Sequence, residues 1–308
     1  MLTSNGYTLV DSGDRLGRLI PVPERLRTDR DALWQRMRRD GHLFLTGLLD
    51  PDDVNAFRTY YFESLAHTRL VDPTSPGLGV ASGLDLDRAA LRRELFERIV
   101  PGREYEQLCR HPRIEQWFRW FLGDDVHLHR RRILRHTRAG ENGIGTATQA
   151  HYDLVYLRGG TDRVLSMWIP LGDIPLSRGG LVYLEGSHRW VLDAEARGLL
   201  KLPAASITAD LPGLADEHDA RWLVTDYSAG DVVVHSAHIV HAALDNIDPG
   251  GVMRLSTDIR YQRESEPIDW RWTADWSDQD DWRWRVDQEP LPEDAVRLQA
   301  AEPGWLAG

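Results

Sequence analysis

The sequence predicts an α+β protein whose first part is mainly helical and whose second part forms an antiparallel β-sandwich or barrel. Two patterns support this prediction. Up to Leu122 apolar residues recur at helical spacing, whereas from Val126 onward short extended runs alternate with glycine-rich turns. The 308 residues contain no internal repeat and no low-complexity linker, so we expect one domain.

The helical part is predicted to contain four helices and one strand. A helix beginning at Asp50 has the clearest start, because Asp50 is a good N-cap and Pro51 suits the first turn. The glycine- and proline-rich residues 70–88 indicate a loop. The predicted helices cover residues 29–40, 50–65, 89–99 and 103–122, with a strand at 42–49. In the last helix one apolar stripe is formed by Ile114, Trp117, Phe118 and Phe121.

The β-rich part is predicted to contain eight extended runs. Turns such as Arg158–Gly160 and Asp248–Gly251 separate them, and this spacing is typical of sandwiches and barrels. The predicted runs are residues 126–136, 150–157, 163–170, 180–184, 222–225, 231–236, 238–243 and 253–262.

The composition excludes several classes of protein. The formal net charge of −11 argues against nucleic acid or an anionic membrane as a partner, since both favour a basic surface. A lone cysteine, Cys109, excludes an intramolecular disulfide and suits a reducing compartment. No apolar run approaches the roughly 18 residues of a membrane span, and the N-terminus has no signal-peptide core. We therefore expect a cytoplasmic protein that binds neither nucleic acid nor membranes.

A candidate metal site lies at His151-Tyr152-Asp153. Residues i and i+2 of a strand point to the same face, so His151 and Asp153 can share one ion. A distant histidine would complete a facial triad, which leaves three coordination positions open for oxygen chemistry. His241 is one candidate for this third ligand, and His235 and His238 compete with it.

The order of the motifs around this pair resembles the phytanoyl-CoA dioxygenase-like family of iron(II)- and 2-oxoglutarate-dependent oxygenases. That family has a His-x-Asp pair, a strand with tryptophan, a Gly-Ser-His segment, a Gly-Asp strand, a histidine followed by asparagine, and an arginine. The corresponding segments here are His151–Asp153, Met167–Asp173, Arg178–His188, Gly230–His235, His241 with Asn246, and Arg254. The resemblance covers about residues 126–262, with a weaker match over His42–Leu65.

The resemblance implies a double-stranded β-helix, that is, a jelly-roll or cupin-like barrel, flanked by N-terminal helices. The whole chain, 1–308, would be one oxygenase domain. Residues 1–125 would be mainly helical support, 126–262 the barrel core with the metal site, and 263–308 a tryptophan-rich C-terminal arm.

The resemblance also implies the ligand set. Iron(II) would be bound by His151, Asp153 and His241, the last because Asn246 follows it at the family's spacing. Arg254 would bind the far carboxylate of 2-oxoglutarate, for which a guanidinium group is well suited. Arg260 is the alternative ligand for that carboxylate. Either arginine could instead form an ordinary surface salt bridge.

Three further residues are candidates for cofactor binding. Trp168 matches a family tryptophan close to the cosubstrate, although core packing would explain it equally well. Gln149 shares the face of His151 if the strand is extended. Arg131 belongs to the basic segment 129–138, which would either attract 2-oxoglutarate or pair with surface acids.

Two departures from the family pattern affect the chemistry. Ala243 stands where relatives often have a serine, so a polar contact to the cosubstrate would have to come from Thr257 or Thr148. Asp153 is intact, which argues against halogenation, because related halogenases replace that carboxylate to let halide bind iron.

Several segments are candidates for covering the site. Residues 70–88 and 137–148 are glycine-containing loops that suit a lid. Five tryptophans between 270 and 284 would either pack on the barrel or on a second subunit, or form a wall for an apolar substrate. They are Trp270, Trp272, Trp276, Trp282 and Trp284.

The expected activity is hydroxylation of an unactivated C–H bond of a small-molecule metabolite, with consumption of O2 and release of succinate and carbon dioxide. The same chemistry could instead end in desaturation, cyclisation or epimerisation, depending on how the substrate is placed. A non-catalytic cupin-type binding barrel is the alternative from another class. A homodimer is a further expectation.

Overall fold

The computed structural model describes residues 1–141, 143–156, 159–199, 206–277 and 306, and the fold is α+β as expected. The strands are β1 (Thr3–Ser4), β2 (Tyr7–Thr8), β3 (Leu16–Arg18), β4 (His42–Leu45), β5 (Val126–Leu128), β6 (Ile133–Thr137), β7 (Leu165–Pro170), β8 (Leu181–Leu184), β9 (Trp222–Val224), β10 (Val232–Ser236), β11 (His241–Ala243) and β12 (Arg254–Arg263).

Seven α-helices are described. They are α1 (Arg30–Asp40), α2 (Pro51–Ser64), α3 (Arg88–Arg93), α4 (Arg103–Cys109), α5 (Pro112–Leu122), α6 (Ser187–Ala196) and α7 (Leu211–Glu217). A π-helix over Glu94–Ile99 continues α3. Short 3₁₀ turns lie at Glu24–Leu26, Ala66–Thr68, Pro76–Leu78, Asp153–Tyr156, Leu176–Arg178 and Trp270–Trp272.

Two sheets make up the β-rich part. The larger has six strands in the order β4-β10-β7-β12-β5, with β6 also paired to β12, and all its pairs are antiparallel. The smaller has the order β11-β8-β9-β3, in which only β3 and β9 run parallel. Within the described residues no strand pairing closes either sheet into a barrel, so the predicted jelly-roll core is an open sandwich.

Alternation along the strands separates two cores. On β7, Leu165 and Met167 pack against the helical layer, whereas Trp168 belongs to the cluster between the two sheets. On β12, Leu255 and Ile259 face the helical layer in the same way. The even-numbered residues of β12 therefore point into the space between the sheets, where the site lies.

The helical layer supports the larger sheet through aromatic packing. In α5 the predicted stripe is buried at Ile114, Phe118 and Phe121. The Phe118 ring stacks on Tyr261 of β12, with ring centroids 4.4 Å apart. The helices thus fix the outer face of the strand that delivers the arginines to the site.

Four sequence-based boundaries were wrong. The run predicted over 238–243 is a strand only at His241–Ala243, and His238 lies in the preceding turn. The helix predicted over 103–122 is two helices, because Pro112 begins α5 and the residue before a proline avoids helical geometry. The strand predicted over 150–157 consists only of isolated bridges at Ala150 and His151, and Asp153 starts a 3₁₀ turn. The run predicted over 126–136 is divided into β5 and β6.

The C-terminal arm is described only in part. Trp282 and Trp284 lie outside the described residues, and so does most of the segment 263–308. The division of the chain into support, core and arm stays a prediction. Among the helices of the described ranges, none has the length and apolar character needed to cross a membrane.

Replacing the N-cap residue of α2 tests whether the Asp50 side chain stabilises the start of this helix. The Asp50 side chain accepts a hydrogen bond from the Asp52 N–H at 3.0 Å. We expect Asp50→Ala to lower the free energy of unfolding by about 1 kcal/mol, because the helix N-terminus loses that partner. Urea denaturation would measure it. The exposed Asp85→Ala is the control, with an expected change below about 0.5 kcal/mol, and an equal loss in both variants would contradict the assignment.

The single thiol tests the burial of the helical layer. Cys109 is fully buried, and burial raises the pKa of its thiol to about 12. Because the thiolate is the reactive form, native protein at pH 8 should resist a thiol reagent and should react once per chain after denaturation. Rapid reaction of the native protein would show that α4 is not packed as described.

Candidate active site

Three side chains meet between the two sheets. One ligand atom from each of His151, Asp153 and His241 lies within 4.8 Å of the other two. The His151 Nε2 is 3.8 Å from Asp153 Oδ1. One carboxylate and two imidazoles in this arrangement are the protein part of a facial triad.

The two histidines are held together by the backbone. His151 and His241 form an antiparallel bridge in which each N–H donates to the other's carbonyl, at 3.0 and 2.9 Å. Their rings lie 4.2 Å apart. Each Nδ1 lies beside a backbone carbonyl, Gln149 O at 2.9 Å and Ile239 O at 3.1 Å. These carbonyls require Nδ1 to carry the proton, so Nε2 is left as a lone-pair donor.

The carboxylate is oriented from the larger sheet. Asp153 Oδ2 accepts hydrogen bonds from the Ser166 hydroxyl at 2.6 Å and from the Arg260 guanidinium at 2.9 Å. Oδ1 is buried and has no hydrogen-bond partner among the described residues. A buried carboxylate oxygen without a partner is costly, and a cation beside the two Nε2 atoms would satisfy it.

The protonation states suit metal binding. Burial lowers the pKa of both His151 and His241 to about 4, and the next cause is the charge of His241 for His151 and of His235 for His241. Burial opposes ionisation of Asp153, but Arg260, His235 and His241 outweigh it, so the pKa of this carboxyl lies well below its usual value. Two neutral imidazoles and one carboxylate are therefore present at neutral pH.

The competing histidines have other partners. The His235 Nδ1 forms a hydrogen bond with the Tyr183 hydroxyl, 3.0 Å away. The His235 Nε2 lies 3.8 Å from Asp153 Oδ2. His238 lies in a different group, with Glu195 and Asp162. His241 is the distant histidine that the structure brings to His151 and Asp153.

Arg254 is a buried cation that forms no ion pair with an acidic residue of the described ranges. One of its nitrogens donates to the Gly179 carbonyl at 2.6 Å, and Nε has no partner within the described part of the chain. Burial, followed by the charge of Arg135, lowers the Arg254 pKa to about 10. Gly179 has φ +76°, and a Cβ there would lie 2.5 Å from the Leu244 carbonyl oxygen, so glycine is required.

Arg254 lines a pocket of about 220 Å³. Arg135 and Thr148 line it too, and the Arg135 guanidinium donates to the Thr148 hydroxyl at 3.1 Å. The loop 137–148 supplies part of the wall through Gly145, Thr146 and Ala147, and its role as a cover stays a prediction. The loop 70–88 does not contribute a lining residue; it pairs with the turn that precedes β12.

Arg260 makes different contacts from Arg254. Both arginines point into the sandwich, as the parity of β12 predicts. Arg260 forms the ion pair with Asp153, and its guanidinium lies 4.5 Å from the Trp272 ring. It is therefore placed to orient the carboxylate ligand.

The other predicted cofactor residues occupy several environments. Trp168 is buried, and its ring lies 4.7 Å from that of Tyr227 between the sheets. Gln149 contributes its carbonyl to His151, while its side chain accepts a hydrogen bond from Ser206. Arg131 is buried beside Trp272, in the turn before β6. Contact of these three with a cosubstrate stays a prediction.

Most of the basic segment pairs with acids. Arg130 forms an ion pair with Asp275, and Arg132 pairs with Glu106 and Asp275. Arg135 is the arginine of this segment that lines the pocket. Attraction of an anion by the segment, through Arg131 or Arg135, stays a prediction.

Thr257 is not available to the site, which corrects one sequence-based candidate. It lies on the odd-numbered face of β12, and its hydroxyl is 2.6 Å from that of Tyr105 in the helical layer. Thr148 is left as the threonine that can replace the missing serine contact, since it lines the pocket.

The three described tryptophans of the arm, Trp270, Trp272 and Trp276, lie in three different environments. Trp272 is buried against the β-rich core, with a T-shaped contact to His129. Trp276 lines the Arg254 pocket and contacts Phe96 in a T-shaped geometry. Trp270 is 41% exposed, so it belongs to neither arrangement.

Two residues near the metal ligands were missed at the sequence level. Ser166 and Asp258 both point into the sandwich, and Ser166 contacts Asp153 directly. The signal that could have found Ser166 is its position two residues before Trp168, on the same face of β7.

Comparison with known proteins gives the family. The family model described as phytanoyl-CoA dioxygenase (PhyH) matches residues 37–254, which is more than half of the chain. Among curated proteins, the ectoine dioxygenase of Nocardia farcinica is 26% identical over 220 residues, covering 68% of this chain and 71% of that protein. The ectoine dioxygenase of Streptomyces avermitilis is 25% identical over 226 residues, covering 70% and 73%.

Solved structures share the fold. The epimerase SnoN from nogalamycin biosynthesis, solved with Fe3+ and α-ketoglutarate, aligns with a TM-score of 0.52 at 23% identity, covering 78% of this chain and 85% of that one. The carbocyclase SnoK gives a TM-score of 0.53 at 20% identity, covering 87% and 94%. EctD from S. alaskensis gives 0.52 at 19%, covering 85% and 88%. The resemblance seen in the motifs is confirmed: this chain belongs to the phytanoyl-CoA dioxygenase family, and it is an oxygenase.

Proposed function

We propose that the protein is a non-haem iron(II)- and 2-oxoglutarate-dependent dioxygenase that oxidises a small-molecule metabolite. The observation that carries the proposal is the group of half-buried His151 with buried Asp153 and His241, in which Asp153 Oδ1 has no partner among the described residues. His151, Asp153 and His241 are the proposed iron ligands.

The site fits iron(II) by the chemistry of its donors. Two imidazoles with neutral rings and one ionised carboxylate on one side of an ion leave the opposite side open. The bound metal and its cosubstrate supply the activation of O2 and the oxidation of a C–H bond. The chain supplies the orientation: the His151–His241 bridge holds one side, and Arg260 and Ser166 hold the carboxylate.

Arg254 is the proposed anchor for the far carboxylate of 2-oxoglutarate. A buried guanidinium with an unpartnered Nε and no carboxylate partner within the described residues suits a carboxylate arriving from outside. Arg135 and Thr148 line the same pocket and would add a second cation and a hydroxyl. The proposed cofactors are thus iron(II), 2-oxoglutarate and O2.

Hydroxylation is the proposed outcome, because it is the simplest result of oxidising a C–H bond. The names of the similar proteins include dioxygenases, an epimerase and a carbocyclase, so epimerisation and cyclisation remain the alternatives. The complete His–Asp–His group argues against the non-catalytic binding barrel, which would have no need of it.

The remaining proposals concern the substrate class, the cellular location, the oligomeric state and the domain organisation. The net charge of −11 supports a small metabolite over a nucleic acid as substrate. The single, buried Cys109 supports a cytoplasmic location. A homodimer and a single domain over 1–308 are kept as proposals, and size-exclusion chromatography with light scattering would test the first.

Loss of the iron ligands gives the first test. Anaerobic addition of iron(II) and 2-oxoglutarate to the wild type should produce the weak visible charge-transfer band of the chelate. The band should vanish in Asp153→Ala and in His241→Ala, because two protein ligands cannot hold the chelate. His235→Ala is the matched control, since it removes a buried histidine from the same space and should keep the band. A wild type without the band would contradict the proposal.

Substitution of Arg254 and of Arg260 should change different quantities, the KM for 2-oxoglutarate and the affinity for iron. Arg254→Ala should raise the KM for 2-oxoglutarate by about 10- to 100-fold, since a charge-assisted hydrogen bond is worth roughly 1.5–3 kcal/mol. Arg260→Ala should instead weaken iron binding by about 10- to 100-fold, because it orients Asp153.

Succinate release at varied 2-oxoglutarate and varied iron(II) separates these two effects. Circular dichroism would show whether both variants fold. The opposite pattern, with Arg260→Ala alone raising the KM for 2-oxoglutarate, would assign the anchor to Arg260.

A further inference from the structure

A second group of metal-ligand side chains lies beside the candidate active site. One ligand atom from each of Asp162, Glu195 and His238 lies within 4.8 Å of the other two. Asp162 precedes β7, Glu195 is in the last turn of α6, and His238 lies in the turn before β11. None of the three belongs to the His151–Asp153–His241 group.

The contacts within the group leave donor atoms unsatisfied. The His238 Nε2 is 3.1 Å from Glu195 Oε2. His238 is fully buried, and its Nδ1 has no partner among the described residues. Glu195 Oε1 is also buried without a partner within the same ranges. Buried polar atoms without partners are rare in folded proteins, and the binding of an ion at the site is one of the usual reasons.

The apolar surroundings disfavour two ionised carboxylates at Asp162 and Glu195. Val164, Val191 and Ala237, each close in sequence to one member of the group, belong to the apolar cluster of the smaller sheet. Burial, and after it the charge of Glu195, raises the pKa of Asp162, although His238 and Arg163 oppose the shift. Arg163, whose charge acts on Asp162, is itself paired with Glu266. A divalent cation would offset both carboxylates at once.

We infer that Asp162, Glu195 and His238 form a second metal site, which binds a divalent ion of the zinc type. One imidazole nitrogen and two carboxylate oxygens are donors that zinc accepts, and three protein ligands leave a fourth position for water. The inference rests on the second group alone and holds whether or not the proposed oxygenase activity is correct.

The second site would brace the segments that carry the iron ligands. The Leu154 N–H donates to the Ala237 carbonyl at 2.8 Å, which ties the residue after Asp153 to the residue before His238. The Val240 N–H donates to the Ser187 hydroxyl at 2.9 Å, which ties the residue before His241 to α6. An ion bound by Asp162, Glu195 and His238 would join the same three segments.

Metal counting with blocked sites tests the inference. Full-length protein stripped with a chelator would be dialysed against low-micromolar zinc without 2-oxoglutarate, and its metal content measured by mass spectrometry. The wild type should hold two zinc ions per chain, since the His151–Asp153–His241 group also accepts zinc. Glu195→Gln should hold one and keep the iron(II)–2-oxoglutarate band, whereas His151→Ala/His241→Ala should hold one and lose the band.

Two controls keep the test decisive. If Glu195→Gln does not fold, Asp162→Asn replaces it, and the zinc content of His151→Ala/His241→Ala still reports the second site, because that variant leaves it intact. One zinc in this variant supports the inference, and none overturns it. A Glu195→Gln variant that holds as many zinc ions as the wild type would also overturn it.

Discussion

The buried ion pair between Arg260 and Asp153 is the interaction on which the site depends. Placing two charges between the sheets costs several kcal/mol of desolvation, and only close geometry with further hydrogen bonds offsets it. Here the offset comes from the 2.9 Å contact, from Ser166 and from the Trp272 ring against the guanidinium. With Oδ2 so held, Oδ1 is left facing the two imidazoles. Oδ2 is thus held by hydrogen bonds within the protein, and Oδ1 is the proposed metal ligand.

This ion pair also explains how two sheets share one site. The histidines belong to the edge of the smaller sheet, where His151 bridges His241 beside β11. The carboxylate is held by residues of β7 and β12 in the larger sheet. The site therefore exists only when the sandwich is assembled, and the helical layer that supports β12 through Phe118 and Tyr261 contributes to it from a distance. A change in that layer would reach the chemistry through the position of Arg260.

The sequence was sufficient for the fold class and for the inward direction of both arginines, because these depend on local order and strand parity. The choice of His241 over His235 and His238 came instead from the resemblance to the family. It was insufficient where partners come from distant segments. Thr257 looked available until β12 was seen to face Tyr105 on that side. Arg254 and Arg260 are equivalent by parity, and only the position of Asp153 separates them. The strand expected at His151–Asp153 does not form, because the chain turns after two isolated bridges at Ala150 and His151, so that the carboxylate reaches the opposite sheet.

Anomalous diffraction at the iron edge, on crystals grown anaerobically with iron(II) and 2-oxoglutarate, tests the central claim most directly. The account predicts one iron bound by the Nε2 atoms of His151 and His241 and by Oδ1 of Asp153, with Arg260 still on Oδ2 and the far carboxylate of 2-oxoglutarate on Arg254. Iron bound through Asp153 Oδ2 or by His235, or a cosubstrate that displaces Arg260 from Asp153, would contradict it.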